Sequence, residues 1–391
     1  MLLGLVGVAA VLLAPQASSA DETGTNNPVQ TAGLDYAEMS FSMTSEAVDI
    51  KPLNAPSFKR EPTLSSGTIK RGVLNLNPEA TNAVGFIWDA TAHKLHLDLN
   101  GNGDLTDDKE GVYTSKVAGN NYQTFDGVHL PFKTANASRQ MLADLYLYYY
   151  GNDRLYCSAS LRSMWKGKIS LHGRDWQVGI VELFHARYGA QRTKYLLLRP
   201  WEKRNDSFST YSSRDAFEFP SRLFFDNHAY HLDVTHEPQD NTSRYVIQFA
   251  LQQPALGEMK ITGRDIQRIH LEDGQGYFAV LEHPGPVAKL PAGNYSVPNM
   301  WLNKGGVTAM TSDPRISVRI ADQKAAVLAA GGPLTNSVGV SHRGSSLSLN
   351  YKLVGVGGET YMLEPQDRSK PPRFEIASNG RKIASGSFQY G

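Results

Sequence analysis

Residues 98–108 read Asp-Leu-Asn-Gly-Asn-Gly-Asp-Leu-Thr-Asp-Asp. Asp98, Asn100 and Asn102 put side-chain oxygens at alternate positions, and Gly103 follows where a sharp turn has no room for a side chain. Asp104 then offers its backbone carbonyl, Leu105 an apolar anchor, and Thr106 and Asp108 further oxygens. Hard oxygen donors spaced in this way around a glycine are what a six-to-eight-coordinate Ca²⁺ requires. The competing reading is a plain hairpin, because Asn-Gly favours a tight turn on its own. A hairpin has no use for carboxylates at 98, 104, 107 and 108, which repel by about 1 kcal/mol per close pair even in water. The expected cofactor is a structural Ca²⁺ held by Asp98, Asn100, Asn102, Asp104, Thr106 and Asp108.

Counted as twelve residues from Asp98 to Lys109, the stretch resembles the calcium loops of EF-hand and dockerin proteins. Two departures limit what the resemblance implies. Position 12, an acid in those loops, is Lys109, so the closing carboxylate must come from Asp107, Asp108 or Glu110. The loop is also entered from Lys-Leu-His-Leu-Asp-Leu, whose alternation reads as a strand, so the helix-pair opening of EF-hand sensors should not apply. The expected role is a clamp, with a Kd of roughly 10⁻⁵–10⁻³ M, as in extracellular modules.

Other constellations carry less. Ser163-Met164-Trp165-Lys166 has the Ser-x-x-Lys spacing of penicillin-recognising enzymes, but a strand-like run follows at once, which splays the two side chains. His228, His231 and His236 alternate faces of one strand and cannot meet on one ion. The glycines of 354–360 precede no helix and read as turn chemistry, not a phosphate cradle. Trp88, Trp165, Trp176 and Trp301 read as core, and Trp201, opening the polar stretch 201–216, as the ring most open to recognition. Cys157 is the only cysteine, so internal disulfides are excluded, and its apolar run marks it as a buried, inert thiol.

Those residues must be positioned by strands. From about residue 66, short runs rich in β-branched and aromatic residues alternate with Gly, Asn, Asp and Pro, and helical periodicity is scarce apart from one candidate turn at 138–146. The expected class is mostly β, built of tandem β-sandwich-like modules. Hairpins are expected at Gly151-Asn152-Asp153 and Asp226-Asn227. Residues 72–77, 84–90 and 94–99 echo 167–171, 177–183 and 194–200, which points to an internal duplication whose second copy ends in Arg199-Pro200 instead of the acidic loop. Leu290-Pro-Ala-Gly-Asn-Tyr-Ser-Val297 resembles the turn of transthyretin-like and carboxypeptidase-regulatory-like sandwiches. The strands after 306 resemble an immunoglobulin-like sandwich in architecture, without its cysteines.

The expected organisation is a signal peptide at 1–20, a flexible leader at 21–65, a calcium-loop module at 66–218, a sandwich-like module at 219–305 and the immunoglobulin-like part at 306–391. An uncharged apolar run of signal-peptide length and the lack of paired cysteines point to a bacterial periplasm or exterior, with no membrane span after cleavage. Lys and Arg number 39 against 38 Asp and Glu, so no charge excess calls for nucleic acid. With no catalytic motif in view, the expected function is a calcium-binding, non-enzymatic binding or scaffold protein whose partner is a carbohydrate or an envelope protein. The alternative is a carbohydrate-active hydrolase whose carboxylates lie far apart in sequence.

Overall fold

The computed structural model describes residues 28–39, 45–77, 82–117, 119, 121–134, 137–150, 154–182, 194–206, 214–237, 244–321, 324–344, 346–364 and 371–388. The expected signal peptide lies outside them. The chain is nearly all β, as its alternation requires.

The strands of the first half are β1 (Val29–Glu38), β2 (Ser45–Pro52), β3 (Ile69–Asn75), β4 (Ala83–Asp89), β5 (Lys94–Asp98), β6 (Val112–Thr114), β7 (Tyr122–Thr134), β8 (Ala137–Tyr150) and β9 (Arg154–Leu161). There follow β10 (Ser163–Leu171), β11 (Arg174–Glu182), β12 (Lys194–Pro200), β13 (Ala216–Glu218), β14 (Arg222–Phe225), β15 (His228–Glu237) and β16 (Arg244–Gln252). They form two arrays with the same plan. The first runs β6-β5-β4-β3-β2-β9-β8-β7, and the second β13-β12-β11-β10-β1-β16-β15-β14. In each, a four-strand meander and a three-strand meander flank one strand from near the N-terminus. The arrays exchange those central strands: β1 joins the later array and β2 the earlier one.

The crossover is stitched at Arg162, between β9 and β10. Its carbonyl accepts from Met39 N–H (2.7 Å), its N–H donates to Leu142 O (2.8 Å), and its guanidinium reaches Met39 O and Asp144. One hydrophobic core draws on both arrays, including Leu34, Val48, Phe86, Trp88, Phe125, Leu145, Trp165, Ile180, Leu198 and Phe249. The expected leader at 21–65 thus supplies two central strands, and the boundary expected at 218 falls inside the second array. The turn of helix expected at 138–146 is strand β8, where Leu145 and Leu147 face the core. Tertiary burial overrides a short local preference there.

Beyond Gln252 come β17 (Leu256–Ile261), β18 (Ile266–Asp273), β19 (Tyr277–Glu282), β20 (Val287–Pro291), β21 (Gly293–Lys304), β22 (Val307–Thr311), β23 (Ser317–Ile320), β24 (Ala326–Leu328), β25 (Thr335–Arg343), β26 (Ser346–Val354), β27 (Thr360–Glu364), β28 (Arg373–Ser378) and β29 (Arg381–Ser387). Parallel pairing of β14 with β19 carries the second array on through β19-β18-β21-β22-β27-β26-β25. A small sheet, β20-β17-β24, contributes Met259, Leu290 and Leu328 to a second core with Ile269, Leu281, Val297 and Met300 of the large sheet. In the Leu290–Val297 turn, Tyr295 is buried and its hydroxyl donates to Pro291 O at 3.0 Å. The ring thereby caps the turn that precedes its own strand.

The strands after 306 do not gather into a separate immunoglobulin-like sandwich. β22, β27, β26 and β25 extend the large sheet, β23 pairs with β21, β24 joins the small sheet, and β28 and β29 pair with each other. Alternation identifies a strand but not its partner, and here the partners lie upstream.

Candidate functional site: the acidic loop and a tyrosine row

Strand β5 ends on Asp98, opposite Gly85 of β4, and carries it into the interior. Gly103 has φ +81°, the left-handed turn that glycine adopts without strain, and its N–H donates to Asp98 Oδ2 at 3.0 Å. Leu105 is buried, as an anchor should be. Segment 59–60 docks against the outside of the loop. Lys59 N–H donates to Gly103 O (2.8 Å), Lys59 Nζ to Asn102 O (2.7 Å), and Leu105 N–H to Arg60 O (3.1 Å).

Inside the loop, Asp98 is 8% exposed and Asp108 is 9% exposed, yet Asp98 Oδ1 and Asp108 Oδ2 have no hydrogen-bond partner. Burial, then the charges of Asp98 and Asp107, push the Asp108 carboxyl above its ordinary pKa. Two buried carboxylate oxygens left in this way are costly, and a cation between them offsets that cost. Among Asp107, Asp108 and Glu110, Asp108 is the acid placed to complete the loop. Asp107 is held instead by the side-chain amides of Asn100 (3.2 Å) and Asn102 (2.8 Å).

The remaining expected ligands are arranged differently from one another. Asn100 Oδ1 accepts from Asn102 N–H (2.9 Å) and Asn102 Oδ1 from Asp104 N–H (2.6 Å). An amide oxygen has two lone pairs, so each retains one for an ion. Asp104 turns its carboxylate to the Thr106 hydroxyl (2.5 Å) and N–H (3.0 Å) and toward Arg60 (3.6 Å), which leaves its carbonyl for the seventh position. Thr106 uses its hydroxyl on Asp104 and faces outward. No three Asp, Glu, His or Cys side chains converge among the described residues. A cation here would rest on two carboxylates, with amide and backbone oxygens completing the shell.

The third strand of the second array's meander ends beside a fixed cation. Arg199, at the end of β12, is buried. Its guanidinium donates to Gln177 Oε1 (2.8 Å), Arg204 O (2.7 Å) and Asp206 O (3.0 Å), and so gathers the loop that follows.

On the solvent face of the first array, Tyr122, Tyr148 and Tyr156 lie directly opposite one another across β7, β8 and β9. Tyr148 and Tyr156 stack at 5.1 Å, and Tyr150 stands edge-on to both at 5.6 and 6.0 Å. Alternation in Asp-Leu-Tyr-Leu-Tyr-Tyr-Tyr was the available signal for this row. The hairpin expected at 151–153 sets Tyr156 opposite Tyr148, but the register that brings Tyr122 beside it was not in the sequence.

Ser163 is buried on β10, accepting from Leu142 N–H at 2.6 Å, while Lys166 is exposed, so the pair is splayed as expected. His228 stacks on His172 of the β10–β11 turn at 3.3 Å, a contact between two turns that spacing alone does not reveal. His231 lies on the opposite, exposed side of β15, and the side chain of His236 lies outside the described residues. Four tryptophans are core, as expected. Trp201 is half-buried between Lys168 and Arg204, and 207–213 of its loop lie outside the described residues. Cys157 is buried, with its thiol pushed up to about 12. Glu359 closes the glycine turn of 354–360 by accepting from Gly331 N–H (2.6 Å), Gly357 N–H (2.9 Å) and Tyr361 Oη (2.8 Å). No helix among the described residues is long and apolar enough to cross a membrane. Compared with family models, curated proteins and solved structures, the chain matches none.

Proposed function

We propose that this chain is an exported, non-enzymatic binding protein of the bacterial envelope or exterior, with a Ca²⁺ ion clamping its first array at residues 98–108. The observation that carries the clamp is the pair of buried, unpartnered oxygens on Asp98 and Asp108. The ion would be structural. It would tie the end of β5 to the short turn Lys109–Gly111 that leads into β6. Asp98, Asp108, Asn100, Asn102 and the Asp104 carbonyl would hold it, and the full negative charge of the acids would be neutralised on binding.

The tyrosine row supports binding, because Tyr122, Tyr150 and Tyr156 stand exposed on an open sheet face. Neutral rings rimmed by hydroxyls suit the faces of sugar rings, and a carbohydrate is the ligand class this face favours.

Calorimetric titration of the purified chain with Ca²⁺ tests the clamp, with an expected Kd of roughly 10⁻⁵–10⁻³ M. No heat and no thermal shift at about 10 mM Ca²⁺ would remove it. A polysaccharide pull-down with and without chelator tests the ligand class. Tyr148→Ala should abolish retention without unfolding the chain, and equal retention by this variant would sink the assignment of the face.

A further inference from the structure

The described sheets end on several edge strands, and nearly all carry a device that discourages further pairing. β6, β13 and β24 are three residues long. β7 is broken by a bulge between Phe125 and Val128 and contains Pro131. β20 carries Lys289 and Pro291, β23 is four residues with Arg319, and β28 and β29 carry Glu375, Arg381, Lys382 and a bulge. Short length, charge, proline and bulges are how proteins blunt an open edge.

Strand β25 has none of these before its last residue, Arg343. It pairs with β26 in unbroken register over all nine residues, and its other edge is the end of the large sheet. It contains no Lys, Pro, Asp or Glu, and every residue is exposed, with Val338 at 45% and Val340 at 65%. The hairpin is also two-faced. Val338 lies opposite Tyr351 and Val340 opposite Leu349, which form an apolar side, while Ser337, Gly339 and Ser341 face Lys352, Asn350 and Ser348 on a polar one.

The centre of β25 reads Ser337-Val338-Gly339-Val340-Ser341, the same in both directions. Laid antiparallel against itself about Gly339, Val338 meets Val340 and Ser337 meets Ser341. Opposite residues in an antiparallel pair share a face, so apolar meets apolar and polar meets polar. A two-fold contact requires this self-complementarity, because one patch must serve both partners. We propose that β25 is a dimerisation edge whose occupant is β25 of a second copy, paired antiparallel in the register centred on Gly339. The two large sheets then become one continuous sheet, with Val338, Val340 and Leu349 of both copies forming a shared apolar strip.

Sedimentation equilibrium of the full chain from about 1 to about 100 µM should show a monomer–dimer equilibrium. Val338→Lys with Val340→Lys should raise the dissociation constant at least about tenfold while leaving the circular dichroism spectrum and the calcium response unchanged. Gly339→Cys gives a second reading. A Cβ at that position would come no nearer than 3.7 Å to Asn350 O, so the side chain fits, and buried Cys157 leaves the new thiol without a competitor. Mild oxidation should link two Gly339→Cys chains. A monomer throughout the range overturns the proposal, as does a dimer that is insensitive to the lysines and gives no cross-link. Neither result depends on whether calcium binds.

Discussion

The two eight-strand arrays solve the same local problem in opposite ways. Each must fix the long loop that leaves its third meander strand, between β5 and β6 in one and between β12 and β13 in the other. The second array builds the cation into the chain, with Arg199 gathering the carbonyls of Arg204 and Asp206 from beneath. The first places carboxylates at the end of its third strand and in the loop beyond, and leaves an oxygen of Asp98 and of Asp108 without a partner. A loop held by its own guanidinium is independent of its surroundings. On the calcium proposal, a loop that borrows its cation would be stable only where that ion is plentiful.

The largest expected effect tests the self-sufficient loop. Arg199→Met leaves buried acceptors on Gln177, Arg204 and Asp206 without this donor and should cost about 2–4 kcal/mol in urea unfolding, with or without calcium. If added calcium restored the loss, the contrast between the arrays would fail. Next comes the borrowed cation. Calcium at about one hundred times its Kd should stabilise the chain by about 2.7 kcal/mol, and Asp98→Asn or Asp108→Asn should remove that shift while costing little in chelator. An unchanged shift in both variants would move the ion elsewhere.

The smallest effect is in pH. Asp108 is raised above its ordinary value, so in the interval between the two values the folded chain holds more protons than the unfolded one. Without calcium, stability should therefore fall as pH rises through that interval. With calcium the order reverses, because the ion favours the ionised acid and is lost on acidification. Thermal melts across the interval, with and without chelator, would show the two slopes. Equal slopes would detach Asp108 from the ion.

Local features were legible in the sequence, and long-range ones were not. Ser-Leu-Ser-Leu-Asn-Tyr-Lys-Leu-Val is strand β26, its apolar and polar residues alternating with a period of two that any window reveals. Asp226-Asn227 turns β14 into β15 with φ of +50° and +61°, as its chemistry predicts. The echo of short runs corresponds to two meanders of one plan, though their loops differ in length. β1 escaped notice because a central strand packed closely on its neighbours carries small residues. Ala32 and Gly33 lie there, and a side chain at 33 would meet the Arg244 guanidinium. In the acidic loop the spacing marked the candidate residues, but that Asp108 is buried and Asp107 exposed could be seen only in the fold.

The exchange of β1 and β2 also sets an order of events along the chain. Val29–Glu38 leaves the ribosome before either of its partners, β10 and β16. It is the last part of its array to find all its neighbours, because β16 lies roughly two hundred residues downstream. The first array, by contrast, has every strand in hand once Leu161 has emerged. Vectorial delivery therefore yields a finished half with a loose thread, and that thread later seeds the centre of the other half.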